Sequence, residues 1–121
     1  MLATVDGDGL PHIHPVNVGI VDGRLLVFVQ DWSAKTKDLQ ADGRYALHAM
    51  QDPAEPHEFL VRGRARLVED PELRARALGD WPFTPGADYP LFELGVEHAL
   101  FRSRTNPHDW SSKYLSWRDA V

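Results

Sequence analysis

The sequence predicts a mainly β domain in which antiparallel strands close into a barrel and two short helices interrupt them. Three observations lead there. Apolar or alternating stretches recur between Asp-Gly turns through the first half of the chain. Only two segments carry helix caps, and both are short. At 121 residues without repeat, low-complexity tract or linker, the chain has the size of one domain, residues 1–121. Its strand edges must be closed somewhere, which favours a barrel over an open sheet.

Leu2-Ala3-Thr4-Val5 is apolar and β-prone and stops at Asp6-Gly7-Asp8-Gly9, a strong hairpin signal. From Pro11 the residues alternate, with Ile13, Pro15 and Asn17 on one face and His12, His14, Val16 and Val18 on the other. Gly19-Ile20-Val21 then meets a second turn at Asp22-Gly23, and Leu25-Leu26-Val27-Phe28-Val29 follows with no polar residue. Such a run is expected to be buried on both faces, at the centre of a barrel or of a dimer.

The first helix is expected over Ala34 to Ala41, with Ser33 as N-cap. Strand character returns over Tyr45 to Met50 and again over Glu58 to Glu69, where Arg62, Arg64 and Arg66 share one face, either solvated or paired with acids. The second helix is expected over Pro71 to Leu78. Asp70 caps it, Pro71 takes the first position, Glu72 suits the positive end of the dipole, and Gly79 stops it. Asp80 to Pro90 reads as a loop holding Trp81, Phe83 and Tyr89. Leu91 to Phe101 is a strand, Asn106-Pro107-His108-Asp109 a turn, and Trp110 to Trp117 a final strand.

Composition removes several classes of function. The chain has no cysteine, which excludes disulfides, thiolate metal sites and cysteine nucleophiles. Acidic residues outnumber Lys and Arg by 18 to 13, a net charge of −5, the wrong balance for a nucleic-acid partner. The longest apolar run is Leu25 to Val29, against about 20 residues needed to span a bilayer. Met1 to Gly9 lacks a basic start followed by an apolar stretch. A cytoplasmic protein with no membrane partner is the expectation.

No dinucleotide, P-loop, zinc-protease or nucleophile-elbow motif is present. His12 and His14 point to one side of a strand, but lack a neighbouring Asp or Glu or a third placed His, so no metal is expected there. A polar or cofactor-lining strand accounts for them. Trp32-Ser33-Ala34-Lys35-Thr36-Lys37-Asp38-Leu39 is more informative. Lys35 and Lys37 stand in the first turn of a helix, where each cation is unfavourable by about 0.3–1 kcal/mol. Free backbone N–H groups, a Ser hydroxyl and two ammonium groups make this end suited to a phosphate. A solvated lysine-bearing surface helix fits the same residues. No catalytic base stands out. His14 and His48 could give a proton, yet both also suit structural positions.

The pattern Leu2-Ala3-Thr4-Val5-Asp6-x-Asp8-Gly9-x-Pro11-His12-x-His14-Pro15-Val16 resembles the first hairpin of the FMN-binding split-barrel family related to pyridoxamine 5′-phosphate oxidase. The resemblance continues through Asp22-Gly23-Arg24-Leu25, Val27-Phe28, Ser33-x-Lys35-x-x-Asp38-Leu39, Asp42-Gly43-Arg44-Tyr45-Ala46-Leu47-His48 and Arg62-Gly63-Arg64-Ala65. Each motif is short; their order and spacing together are specific. The clear part runs from Leu2 to Asp70.

That resemblance implies a six-stranded antiparallel Greek-key split barrel, a homodimer, and FMN bound between the subunits. It implies that Ser33 and Lys35 hold the phosphate, with Lys37 as a second cation. His14, Pro15, Val16 and Asn17 would lie along the flavin ring, largely through backbone, and Val29, Gln30 and Trp32 would flank the ribityl chain. Trp110 and Lys113 are the residues a partner subunit would contribute. The implied activity is flavin-dependent oxidoreduction of a small organic substrate. The deazaflavin F420 in place of FMN, and a non-catalytic flavin or haem carrier using His12 or His14, are the alternatives. There are two departures: Ala34 stands where the oxidase carries Arg beside its Lys, which thins the phosphate grip, and the longer C-terminal substrate region has no counterpart, which argues against vitamin B6 oxidation. The family also opens with a helix, whereas this chain enters its first strand at Leu2.

Overall fold

The computed structural model describes residues 1–49, 57–103 and 113–119. Strands β1 (Leu2–Val5), β2 (Pro11–His14), β3 (Val18–Val21) and β4 (Arg24–Phe28) come first. Helix α1 (Ala34–Ala41), β5 (Arg44–Ala49), β6 (Glu58–Leu67), α2 (Pro71–Asp80), β7 (Leu91–Ser103) and β8 (Lys113–Arg118) follow. The eight strands lie in one antiparallel sheet ordered β2-β1-β5-β6-β7-β4-β3, with β8 also on β7. This curled sheet is the mainly β split-barrel class that the residues predict, built from eight described strands where six were expected. Part of the difference lies at Pro15, which has no N–H to give a ladder, so the alternating segment divides into β2 and β3 around residues 15–17.

The turns follow their chemistry. Asp22 and Gly23 both have positive φ, 52° and 73°, the geometry that a two-residue hairpin of right-handed twist requires. Asp6 Oδ1 accepts from the N–H groups of Asp8 and Leu10 at 2.9 Å and ties the first hairpin. Helix α1 matches its expected bounds. Helix α2 runs on through Gly79 to Asp80, and Trp81 is its C-cap. Packing decides that end: Trp81 stacks edge-on against Phe28 with centroids 4.9 Å apart and lies against Gly19.

Two hydrophobic clusters share β4 as their wall. Val27 and Val29 enter the first, with Leu2, Leu39, Tyr45, Leu47, Val61, Phe92 and Leu94. Leu26 and Phe28 enter the second, with Val21, Leu73, Ala77, Trp81 and Leu91. The unbroken apolar run is therefore buried on both faces, as expected. Long β7 carries β4 along its first residues, Leu91 to Glu93, and β8 along His98 to Ser103. A bulge at Arg62/Gly63 bends β6 over it. The arginine face of β6 is exposed and partly paired, Arg64 with Glu97 at 3.7 Å and Arg66 with Glu93 at 3.8 Å. No described helix is long and apolar enough to cross a membrane.

Candidate functional site

The site begins where β4 ends. Val29 is fully buried and its N–H donates to Pro90 O at 3.1 Å. The carbonyl of Gln30 then takes three donors, Ser33 N at 3.1 Å, Ser33 Oγ at 3.0 Å and Thr36 Oγ1 at 2.5 Å. Ser33 Oγ also accepts from Thr36 N at 3.4 Å as N-cap. The Ser33 hydroxyl is thus engaged within the helix cap, while the N–H groups of Ala34 and Lys35 have no intrahelical acceptor. Gln30 Oε1 is buried with no hydrogen-bond partner among the described residues.

Lys35 is half-buried and Lys37 exposed. Two residues apart on a helix means roughly 200° of rotation, so the two ammonium groups do not converge. Lys35 approaches His14 closely enough for its charge to act on that ring. Burial first, and Lys35 second, push the His14 imidazolium below its ordinary value of 6.5. Pro15 and Asn17 are exposed, and Val16 packs against the first core. Trp32 is 74% exposed. Lys113 lies on β8 opposite Ser103, at the far end of β7 from the strand that leads into α1, and is not brought to this site within one chain. Trp110 lies outside the described residues.

Beside these groups stands a cluster that sequence reasoning missed. Asp38, in the second turn of α1, is 5% exposed and meets the β1–β2 hairpin. Its Oδ2 accepts from Thr4 Oγ1 at 2.6 Å and from His12 Nδ1 at 2.9 Å. Thr4 gives its one hydroxyl proton to Asp38 and so accepts from His14 Nε2 at 3.0 Å. The network makes His14 the Nε2–H tautomer. His12 Nε2 faces Asp6 Oδ2 at 3.6 Å. Burial alone would raise Asp38, but the hydrogen bonds from Thr4 and His12 outweigh it and hold the carboxyl below the usual range. The same bond raises His12, while His14 is lowered. The two rings share one acid and differ in charge preference.

A signal for this cluster exists in α1. Leu39 is its one large apolar residue, so the face it buries, Thr36, Asp38 and Leu39, is mostly polar and needs polar partners from other elements. His48, the other histidine singled out, is tied to Glu58 at 2.6 Å, and Glu58 also pairs with Arg102 at 2.6 Å. That places it in a structural ion network away from α1.

Comparison with known proteins adds the following. The pyridoxamine 5′-phosphate oxidase family model matches residues 1–101. The structure of a heme-binding protein from Mycobacterium smegmatis is similar with a TM-score of 0.70 at 21% identity, covering 94% of this chain and 50% of that one. A NimC/NimA family protein from Clostridium acetobutylicum gives 0.71 at 17% identity, covering 94% of this chain and 82% of that one. PhzG from Burkholderia lata, in complex with tetrahydrophenazine-1-carboxylic acid, gives 0.62 at 16% identity, covering 98% and 80%. The chain thus spans half the length of the Mycobacterium smegmatis protein. No curated protein matches the chain. At these identities the likeness is one of fold.

Proposed function

The chain belongs to the pyridoxamine 5′-phosphate oxidase family, and on that premise we propose that it is an FMN-dependent oxidoreductase of small organic substrates, its cofactor seated where two copies meet. The observation that carries the reading is the first turn of α1. Lys35, the free N–H groups of Ala34 and Lys35, and Gln30, whose buried Oε1 has no partner, all belong to the segment that leads from β4 into α1. A phosphate resolves the conflict between Lys35 and the helix dipole. With its side chain turned outward, Gln30 Oε1 would take a ribityl hydroxyl as the donor it lacks. The residues present therefore fit the group.

When bound, FMN supplies the electron or hydride transfer itself. The protein's tasks are binding and exclusion of water. Lys35 and the two N–H groups hold the phosphate, and the backbone from His14 to Asn17 runs beside the ring. Ile13, Ile20 and Trp32, which are 68%, 75% and 74% exposed, are the apolar residues that a second copy would cover. The His14 side chain is turned toward Thr4, and this reading gives it no part in the chemistry. Covalent catalysis and vitamin B6 oxidation are not part of this reading.

The absorption spectrum of the purified protein tests it. The two-band flavin spectrum is expected; a single deazaflavin band, a haem Soret band or a colourless protein that takes up no FMN would each overturn it. The haem outcome is worth reading because a fold neighbour is a heme-binding protein. Lys35→Ala is expected to weaken FMN binding by about 1.5–3 kcal/mol, the scale of a hydrogen bond to a charged group. An unchanged dissociation constant in the double variant Lys35→Ala, Lys37→Ala would remove the phosphate assignment.

A further inference from the structure

We infer that His12, His14 and Asp38 form a binding site for one divalent transition-metal ion of the zinc class, clamping the β1–β2 hairpin to α1. The inference goes beyond flavin binding and does not rest on it. One nitrogen from each ring and one carboxylate oxygen lie within 4.8 Å of one another. Donors around an ion bound at about 2.1 Å stand roughly 3–4 Å apart. Here Asp38 Oδ2 is 2.9 Å from His12 Nδ1 and 4.0 Å from His14 Nε2, so small side-chain rotations complete the set.

The donor chemistry selects the ion. Two imidazoles and one carboxylate suit borderline ions such as Zn²⁺ better than Mg²⁺ or Ca²⁺, which prefer oxygen alone. Three protein ligands leave at least one position for water. Asp38 is a buried carboxylate, and buried charges call for a counter-charge. Among the described residues its ion-pair partners are His12 and His14, with no lysine or arginine. An ion at this point compensates the carboxylate with a full positive charge. The second nitrogen of His12 stands 3.6 Å from Asp6 Oδ2, just beyond hydrogen-bond distance. A small ring movement would give it the carboxylate partner that orients a ligating imidazole. Thr4 Oγ1, now between Asp38 and His14, remains a donor to the ligating carboxylate and gives up His14 Nε2 to the ion. The ligands come from β2 and α1, so the ion fixes the helix whose first turn carries Lys35.

The test uses the full chain, flavin-free and stripped with a chelator, then titrated with Zn²⁺ alone by calorimetry. A one-to-one isotherm is expected. Replacement by Co²⁺ is expected to produce a visible d–d absorption band. Groups hydrogen-bonded to metal ligands carry about ten- to hundredfold in affinity; Asp38→Asn and His14→Gln, which remove ligands, are expected to lose on the order of 100-fold. His48→Gln, outside the cluster, is expected to bind as the natural chain does. If Asp38→Asn does not fold, His12→Gln serves in its place, since that ring is 40% exposed. Absence of a one-to-one isotherm in the natural chain, or ligand variants that bind Zn²⁺ as it does, would overturn the proposal.

Discussion

Thr4 shows how much one hydroxyl can carry. It is 1% exposed, donates to Asp38 and accepts from His14. Thr4→Val keeps the shape and removes both roles, leaving a buried acceptor and a buried donor short of partners. In the metal-free protein the expected loss is about 1–3 kcal/mol, read as a lowered urea midpoint at unchanged slope. At the other end of α1, Arg44 grips Asp42 with two nitrogens at 2.6 and 2.8 Å and draws its carboxyl from 3.8 down to about 2. A folded value below the unfolded one means that this contribution is complete above pH 3.8 and vanishes as pH falls toward 2. Acid-unfolding curves of the natural chain and Asp42→Asn are therefore expected to differ at neutral pH and converge near pH 2.

Elements were legible where the information is local. The caps Ser33 and Asp70 mark the starts of both helices, and Asp22-Gly23 marks its hairpin, because each acts within a few residues. The unbroken apolar residues of β4 announce burial on two faces for the same reason. The end of α2 was not legible, since the contact of Trp81 with Phe28 and Gly19, not Gly79, sets it. The polar cluster was hidden more deeply. His12 and His14 are visible as a pair, but Asp38 reaches them only after the chain has passed through β3 and β4. Gly63 is a further case: opposite Val96 at the bulge, it faces the backbone of another strand, and a Cβ there would collide with Gly95 O. Gly63→Ala is expected to cost about 3 kcal/mol through displacement of β6 from β7 at the bulge, measured as a lowered denaturation midpoint.

At the scale of the whole molecule the question is what covers the exposed apolar residues of β2, β3 and the loop before α1. Ile13, Ile20 and Trp32 stand more than two thirds exposed, and a second copy is the proposed cover. Light scattering is expected to give twice the chain mass of 13.7 kDa. A monomeric mass at micromolar concentration would contradict a cofactor bound between subunits. Ile20→Asp is expected to shift the protein to monomer and, with it, to reduce FMN retention. The double-sided burial of β4 has its own consequence during synthesis. As the ribosome releases this strand, both its faces are apolar, and of their buried covers only Leu2 and Val21 have been made. The Phe28 ladder waits for Leu91, and the walls of both clusters wait for β7 and α2. Until then the nascent chain presents its stickiest segment to whatever is nearby, which makes Leu25 to Val29 the stretch that a chaperone would hold.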